Sequence, residues 1–140
     1  MNTWKLWRIA DGALVSLRAF RILGRLAVLP TTGLMRAVCP IAGHLPPREG
    51  CSCGVYSCPS PGSMLRYVAT AERPYACALT FGTAEGRLVD GTLGGSIAGI
   101  CSTLYRARAI LITDEPPNGY ALPIYRGMFT VATMREVAKS

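Results

Sequence analysis

Between Cys39 and Cys53 the chain carries three cysteines and its only histidine, spaced Cys39-x4-His44-x6-Cys51-x-Cys53. Thiolate and neutral imidazole are ligands that zinc takes in tetrahedral geometry, and four protein donors make a closed, structural site. The residues therefore predict a structural zinc site formed by Cys39, His44, Cys51 and Cys53. Cys-x-Cys stands where the common finger spacing has Cys-x2-Cys, and Cys58 is a fifth candidate able to replace any one ligand. Two other readings compete with zinc. The thiols can be unliganded with His44 in a hydrogen bond, or two of them can form a redox-active or disulfide pair. A Cys-x-Cys bridge is geometrically tight, which counts against the last. Cys77 and Cys101 sit in apolar, strand-like sequence and read as small core residues.

An element set must hold this cluster in place. Residues 39–63 contain five prolines, four glycines and four cysteines. Such a loop buries too little apolar surface to order itself, so a bound ion is the economical source of order. Residues 3–9 mix aromatic, β-branched and charged types as a strand does. Asp11-Gly12 then suits a tight hairpin, with residues 13–17 returning as the second strand. Residues 16–29 are ambiguous. Arg18, Arg21 and Arg25 would share one helix face, yet the segment also divides into two short strands, and its context favours strand.

Residues 75–81 and 86–90 are candidate strands, as is 105–113. Residues 93–103 are glycine-rich, and 114–119 (Asp-Glu-Pro-Pro-Asn-Gly) are a strong turn. Residues 128–131 can pair as a further strand, and 132–139 can close the chain as a short helix. The expectation is a mainly β (α+β) fold: one compact antiparallel β domain spanning residues 1–140, stapled by zinc through a Pro/Gly/Cys-rich loop.

Composition narrows the function classes. The chain has 140 residues, 50% of them hydrophobic and 16% charged, which describes a folding sequence of single-domain size. No run reaches the roughly 18–20 apolar residues of a membrane span. Charges at Asp11, Arg18, Arg21 and Arg25 interrupt any signal-peptide core, so a cytoplasmic location is expected, where thiols stay reduced.

The formal charge is +7, with arginine supplying thirteen of the fifteen cations. Three zinc-bound thiolates and the ion would leave +6 (minus three, plus two), so the basic character survives. Arginine matches phosphate and carboxylate through a planar, bidentate fork. Lys5, Arg8, Arg18, Arg21, Arg25, Arg106 and Arg108 are the candidate nucleic-acid contacts, with Trp4 and Trp7 as candidate stacking rings. Strand alternation sends the two rings to opposite faces, so the competing role for them is core packing. An acidic protein partner is the alternative.

An enzyme is disfavoured. The sequence shows no glycine-rich phosphate loop, nucleophile elbow, His-Glu-x-x-His or paired carboxylates, and no catalytic residue is assigned. A zinc hydrolase with Glu49 as base, or a thiol-redox protein, is the remaining catalytic option.

These motifs resemble a family of small proteins of actinobacteria and their phages, uncharacterised in function. The resemblance rests on Trp4, Trp7 and Arg8, on Leu14 and Ser16, and on Cys39 and His44 with Pro46. It continues through Cys51, Cys53, Gly54, Val55 and Tyr56, then Val89, Gly91, Gly95 and Ile97, and finally Tyr105, Arg106 and Ala107. It spans most of the chain but few residues. Ser57 stands where the family has Ala, Cys58 is extra, and residues 59–85 exceed the family's connection. The resemblance implies the β fold and the metal site and adds no activity.

Overall fold

The computed structural model describes residues 1–17, 28–39, 43–49, 51, 53–70, 76–94 and 96–140. Among these residues seven strands and two helices follow in the order β1 (Asn2–Ala10), β2 (Ala13–Ser16), β3 (Leu34–Arg36), β4 (Val55–Ser57), α1 (Pro61–Thr70), β5 (Cys77–Gly94), β6 (Ile97–Ile112), β7 (Ile124–Arg126) and α2 (Val131–Lys139). The fold is mainly β, as the sequence predicts. All the strands join one sheet, ordered β2-β1-β5-β6-β3, with β4 and β7 also on β6. Every pairing is antiparallel except that of β7 with β6.

The β1–β2 hairpin forms as expected. Asp11 and Gly12 both take positive φ, 50° and 77°. That is the mirror-image turn whose twist matches two antiparallel strands. The candidate strands 75–81 and 86–90 prove to be parts of one long strand, β5, whose register slips at Phe81/Gly82 and Glu85/Leu88. Gly82 sits at the first slip, where a Cβ would run into the Arg106 carbonyl. The irregularities bend β5 and β6 without ending them, which is how bulges curl a sheet.

Two corrections concern the short elements. Residues 128–131 are not a strand; the pairing segment is Ile124–Arg126, beside Ile110–Ile112. Helix α1 was not expected, although Ser60 caps it by accepting from the Ser63 N–H and Pro61 opens it. Met64 and Val68, one turn apart, are its buried residues. The closing helix α2 is present, with Thr130 as N-cap and Met134 and Val137 buried. Most of the ambiguous segment 16–29 lies outside the described residues, including Arg18, Arg21 and Arg25. No helix among the described residues is long and apolar enough to cross a membrane.

Strand alternation divides the core in two. Trp4, Leu6, Leu79, Phe81 and Leu111 pack beneath the two helices with Met64 and Met134. Trp7, Leu14, Ala78, Tyr105 and Ile110 form a second cluster. Trp7 Nε1 donates to Thr80 Oγ1 at 2.8 Å, and that oxygen also meets the Tyr105 hydroxyl at 2.8 Å. Burial holds the Tyr105 proton far above the usual tyrosine range, because a phenolate there would lose its hydration.

The pH consequence follows in sign. A raised folded-state value means the stability is intact below the unfolded tyrosine pKa of about 10 and is lost as pH climbs above it. Tyr120 is shifted the same way by burial and will share the effect. Urea melts from pH 7 to 11 should show stability falling above about pH 10, with Tyr105→Phe less stable at pH 7 by about 1 kcal/mol but flatter in the alkaline limb. Equal alkaline slopes for the two proteins would remove Tyr105 as the cause.

Candidate metal centre

β3 and β4 read as one edge strand interrupted by an excursion. β3 pairs with Leu104–Arg106 of β6, and β4 with Ile100–Ser102. Between them the Ala37 N–H donates to the Thr103 carbonyl at 2.9 Å. Ala37 and Val55 are thus neighbours along one edge of β6 although the metal-ligand loop separates them in sequence. Thr103 Oγ1 donates to the Pro46 carbonyl at 2.9 Å and the Cys101 thiol to the Cys53 carbonyl at 3.1 Å. These bonds seat the loop on β6.

The loop draws the four predicted donors together. The ligand atoms of Cys39, His44, Cys51 and Cys53 all lie within 4.8 Å of one another. The Cys39 and Cys51 sulfurs are 3.7 Å apart, and His44 Nε2 is 3.2 Å from Cys53 Sγ. Two thiolates each about 2.3 Å from a tetrahedral ion stand roughly 3.7 Å apart. The separation fits that geometry, so these four residues could hold a metal ion.

The electrostatics agree. Cys39 and Cys53 are buried, 5% and 1% exposed. Burial, reinforced by the Cys51 contact, pushes the Cys53 thiol up to about 11. Burial opposes the charged form of Cys53, and a bound cation would reverse that, deprotonating the thiols it binds. His44 Nδ1 is buried without a hydrogen-bond partner among the described residues. A ring with one nitrogen among the sulfurs and the other unsatisfied is incomplete without a further group.

Gly54 fixes the exit from the site. Its φ is +113°, and a Cβ there would run into the Cys101 sulfur. Only glycine combines that conformation with that approach. Cys101, read from sequence as core, is indeed buried, but it also lies directly under the site. Its signal was recoverable only from the pairing of Tyr56 with Cys101 across β4 and β6.

Cys58 is not a spare ligand. Its backbone exchanges two hydrogen bonds with Trp4, at 2.7 and 2.8 Å, and its thiol points to the Ser60 and Ala98 carbonyls. It belongs to the core beneath the helices, and its bridge to Trp4 brings the end of β4 back to β1 so that the sheet curls toward closure. Cys77 lies in the same core.

The basic candidates separate. Lys5 is buried, with Nζ donating to the Tyr56 carbonyl at 3.0 Å and lying 4.9 Å from the Trp7 ring centre. It is therefore not a surface contact. Trp4 and Trp7 do lie on opposite faces, but both are buried, so neither can stack on a base. Arg8 is half-buried beside Cys77 and Val15. It is six residues along β1 from Asn2, the residue Arg108 contacts, or roughly 20 Å of strand.

Arg106 and Arg108 are both exposed and alternate onto one side of β6. Arg106 donates through Nε to Glu85 at 3.1 Å, and Arg108 lies 4.9 Å from the Phe81 ring centre. Arg36, exposed on β3 opposite Leu104, is the diagonal neighbour of Arg106 across the strand pair. Arg36 is seventy residues from Arg106 in sequence, and only the register of β3 on β6 makes them neighbours. No family model, curated protein or solved structure matches this chain, so its own geometry alone carries the functional reading.

Proposed function

We propose that the protein is a zinc-stapled, non-enzymatic binding module whose arginine-bearing sheet face contacts nucleic-acid phosphates. Zinc is the metal of choice because three sulfurs and one imidazole in a closed site suit it better than hard cations, which take oxygen ligands. The observation carrying the nucleic-acid reading is the row of Arg36, Arg106 and Arg108 on one exposed face of a braced sheet. Residues two apart on a strand are about 6.7 Å apart, a spacing suited to successive phosphates. The Glu85 contact engages only Nε of Arg106, so its terminal fork is not committed to that pair.

No tryptophan, phenylalanine or tyrosine among the described residues is exposed. Single-strand binders rely on such rings for stacking, so phosphate contact along a duplex is favoured. Membership of the actinobacterial and actinophage family is part of the same proposal.

Arg106→Glu with Arg108→Glu should weaken duplex binding at least tenfold in fluorescence anisotropy at low salt. The corresponding double alanine variant should reduce the slope of log K against log salt by about 2. No binding by the unmodified protein at low ionic strength would end this reading. The alternative is docking on an acidic protein. It is favoured by Val38 and Leu45, 73% and 71% exposed on the metal loop, with Arg36 and Arg48 nearby in sequence. A single stoichiometric partner retained after nuclease treatment would select it.

A further inference from the structure

The metal cluster is asymmetric in a way that a purely structural site does not need. Cys39 is buried and Cys51 is half-buried, and their sulfurs lie 3.7 Å apart, so this pair joins a residue nearer the solvent to one behind it. Cys53, which touches Cys51 and has His44 Nε2 at 3.2 Å, is almost wholly buried and so is shielded from an oxidant. We propose that Cys39 and Cys51 are a modification site, in which a hydroperoxide oxidises Cys51, Cys39 resolves it to a disulfide, and the metal is released. The release arm rests on the metal reading above; the pairing arm does not.

The chemistry balances. The Cys51 thiolate attacks one peroxide oxygen, breaking the O–O bond, leaving a sulfenic acid on Cys51 and expelling the other oxygen as hydroxide. The Cys39 thiolate then attacks that sulfur and expels hydroxide. Two thiolates and hydrogen peroxide give one disulfide and two hydroxide ions, the sulfurs losing two electrons to the two peroxide oxygens.

The geometry favours this partner choice. The sulfurs need to move from 3.7 Å to a bond of about 2.05 Å, which side-chain rotation can supply. A bridge from Cys51 to Cys53 would have to close across a single residue. A disulfide sulfur is a poor ligand, so the ion would be left with two donors, His44 and Cys53, where four held it. The remaining thiols, Cys58, Cys77 and Cys101, are all buried and should stay reduced.

The test treats purified full-length protein, its zinc content first measured, with one to five equivalents of hydrogen peroxide. A colorimetric chelator reads zinc while peptide mapping reads the cross-link. The expected result is one zinc released per Cys39–Cys51 disulfide, an intact-mass loss of two hydrogens, and reversal by dithiothreitol with zinc. A Cys51–Cys53 bridge, overoxidation of Cys51 without a cross-link, or zinc retained at five equivalents would each overturn the proposal.

If the protein carries no metal as purified, the zinc reading fails by itself. Mapping of the reduced protein then still decides the pairing, with a Cys39–Cys51 bridge supporting the site and its absence refuting it. Cys39→Ser, should it fold, is expected to halt at sulfenic acid on Cys51, detectable with a dimedone probe. Should it not fold, Cys77→Ser, outside the cluster, is expected to react as the unmodified protein does.

Discussion

Stripping the metal, or changing Cys51 and Cys53 together to Ser, is expected to detach the segment between Ala37 and Val55 and to melt β3 and β4 with it. Structural zinc contributes on the order of 10 kcal/mol of apparent folding free energy. Whole domains are stable by only about 5–15 kcal/mol, so a zinc ion held by these four donors would rival everything else in the fold. β3 and β4 are three residues each, too short to hold register alone. Their alignment on β6 depends on the loop between them staying closed.

The effect should travel further than the loop. The end of β4 also bridges to β1 through Trp4 and Cys58, so losing β4 opens the curled sheet and exposes part of the core beneath the helices. Titration with a tight chelator should therefore give one cooperative loss of strand signal by circular dichroism. Hydrogen exchange should accelerate first at the amides of Val55 to Ser57 and their partners in β6. Acid should act in the same direction, because protons compete with the ion for thiolate and imidazole. An apo protein with unchanged melting temperature and full protection in β4 would show that the sheet needs no staple.

Trp7→Ala is the second large effect, expected to cost about 3–5 kcal/mol. The ring is fully buried and fills the space between β2, β5 and Tyr105, lying 6.4 Å from that ring. Removing it leaves a cavity among Leu14, Ala78 and Tyr105, which are fixed on separate strands and cannot collapse into it. The Lys5 ammonium would also lose the aromatic face beside it. Trp7→Phe retains much of the volume but deletes the bond to Thr80, so it should cost less, on the order of 1–2 kcal/mol. Urea unfolding with an unchanged slope is the measurement. An alanine variant within 1 kcal/mol of the parent would mean the ring is not a core element, and a stacking role would reopen.

That contrast shows where sequence reasoning reached its limit at the aromatic residues. Alternation assigned Trp4 and Trp7 to opposite faces, and they are. It could not say that both rings are covered, because that depends on helices α1 and α2 packing over Trp4 and on Leu29, Met35 and Tyr105 packing around Trp7. Lys5 failed for the same reason. A lysine beside two tryptophans looks like a surface contact until a backbone carbonyl from β4, fifty-one residues away in sequence, turns out to accept from it.

Local chemistry was legible wherever neighbours in sequence decide the outcome. The Asp11-Gly12 turn needed only the preference of those residues for positive φ. The donor set Cys39, His44, Cys51 and Cys53 followed from ligand chemistry and a loop that cannot order itself. Helix α1 carried readable signals in Ser60, Pro61 and the Met64–Val68 spacing, obscured by the proline-rich run before it. Glycines inside β5 made one strand look like two, since composition does not distinguish a bulge from a break.

The sequence by itself therefore determined the β character, the first hairpin and the residues able to bind metal. Those depend on backbone preference and side-chain chemistry, which act over a few residues. The tertiary structure alone decided that Cys58 is core, that Cys101 underlies the site, and that Arg36 joins Arg106 and Arg108. Each of those depends on how β3 and β4 register against β6, and register is a long-range pairing that no short stretch of the chain encodes.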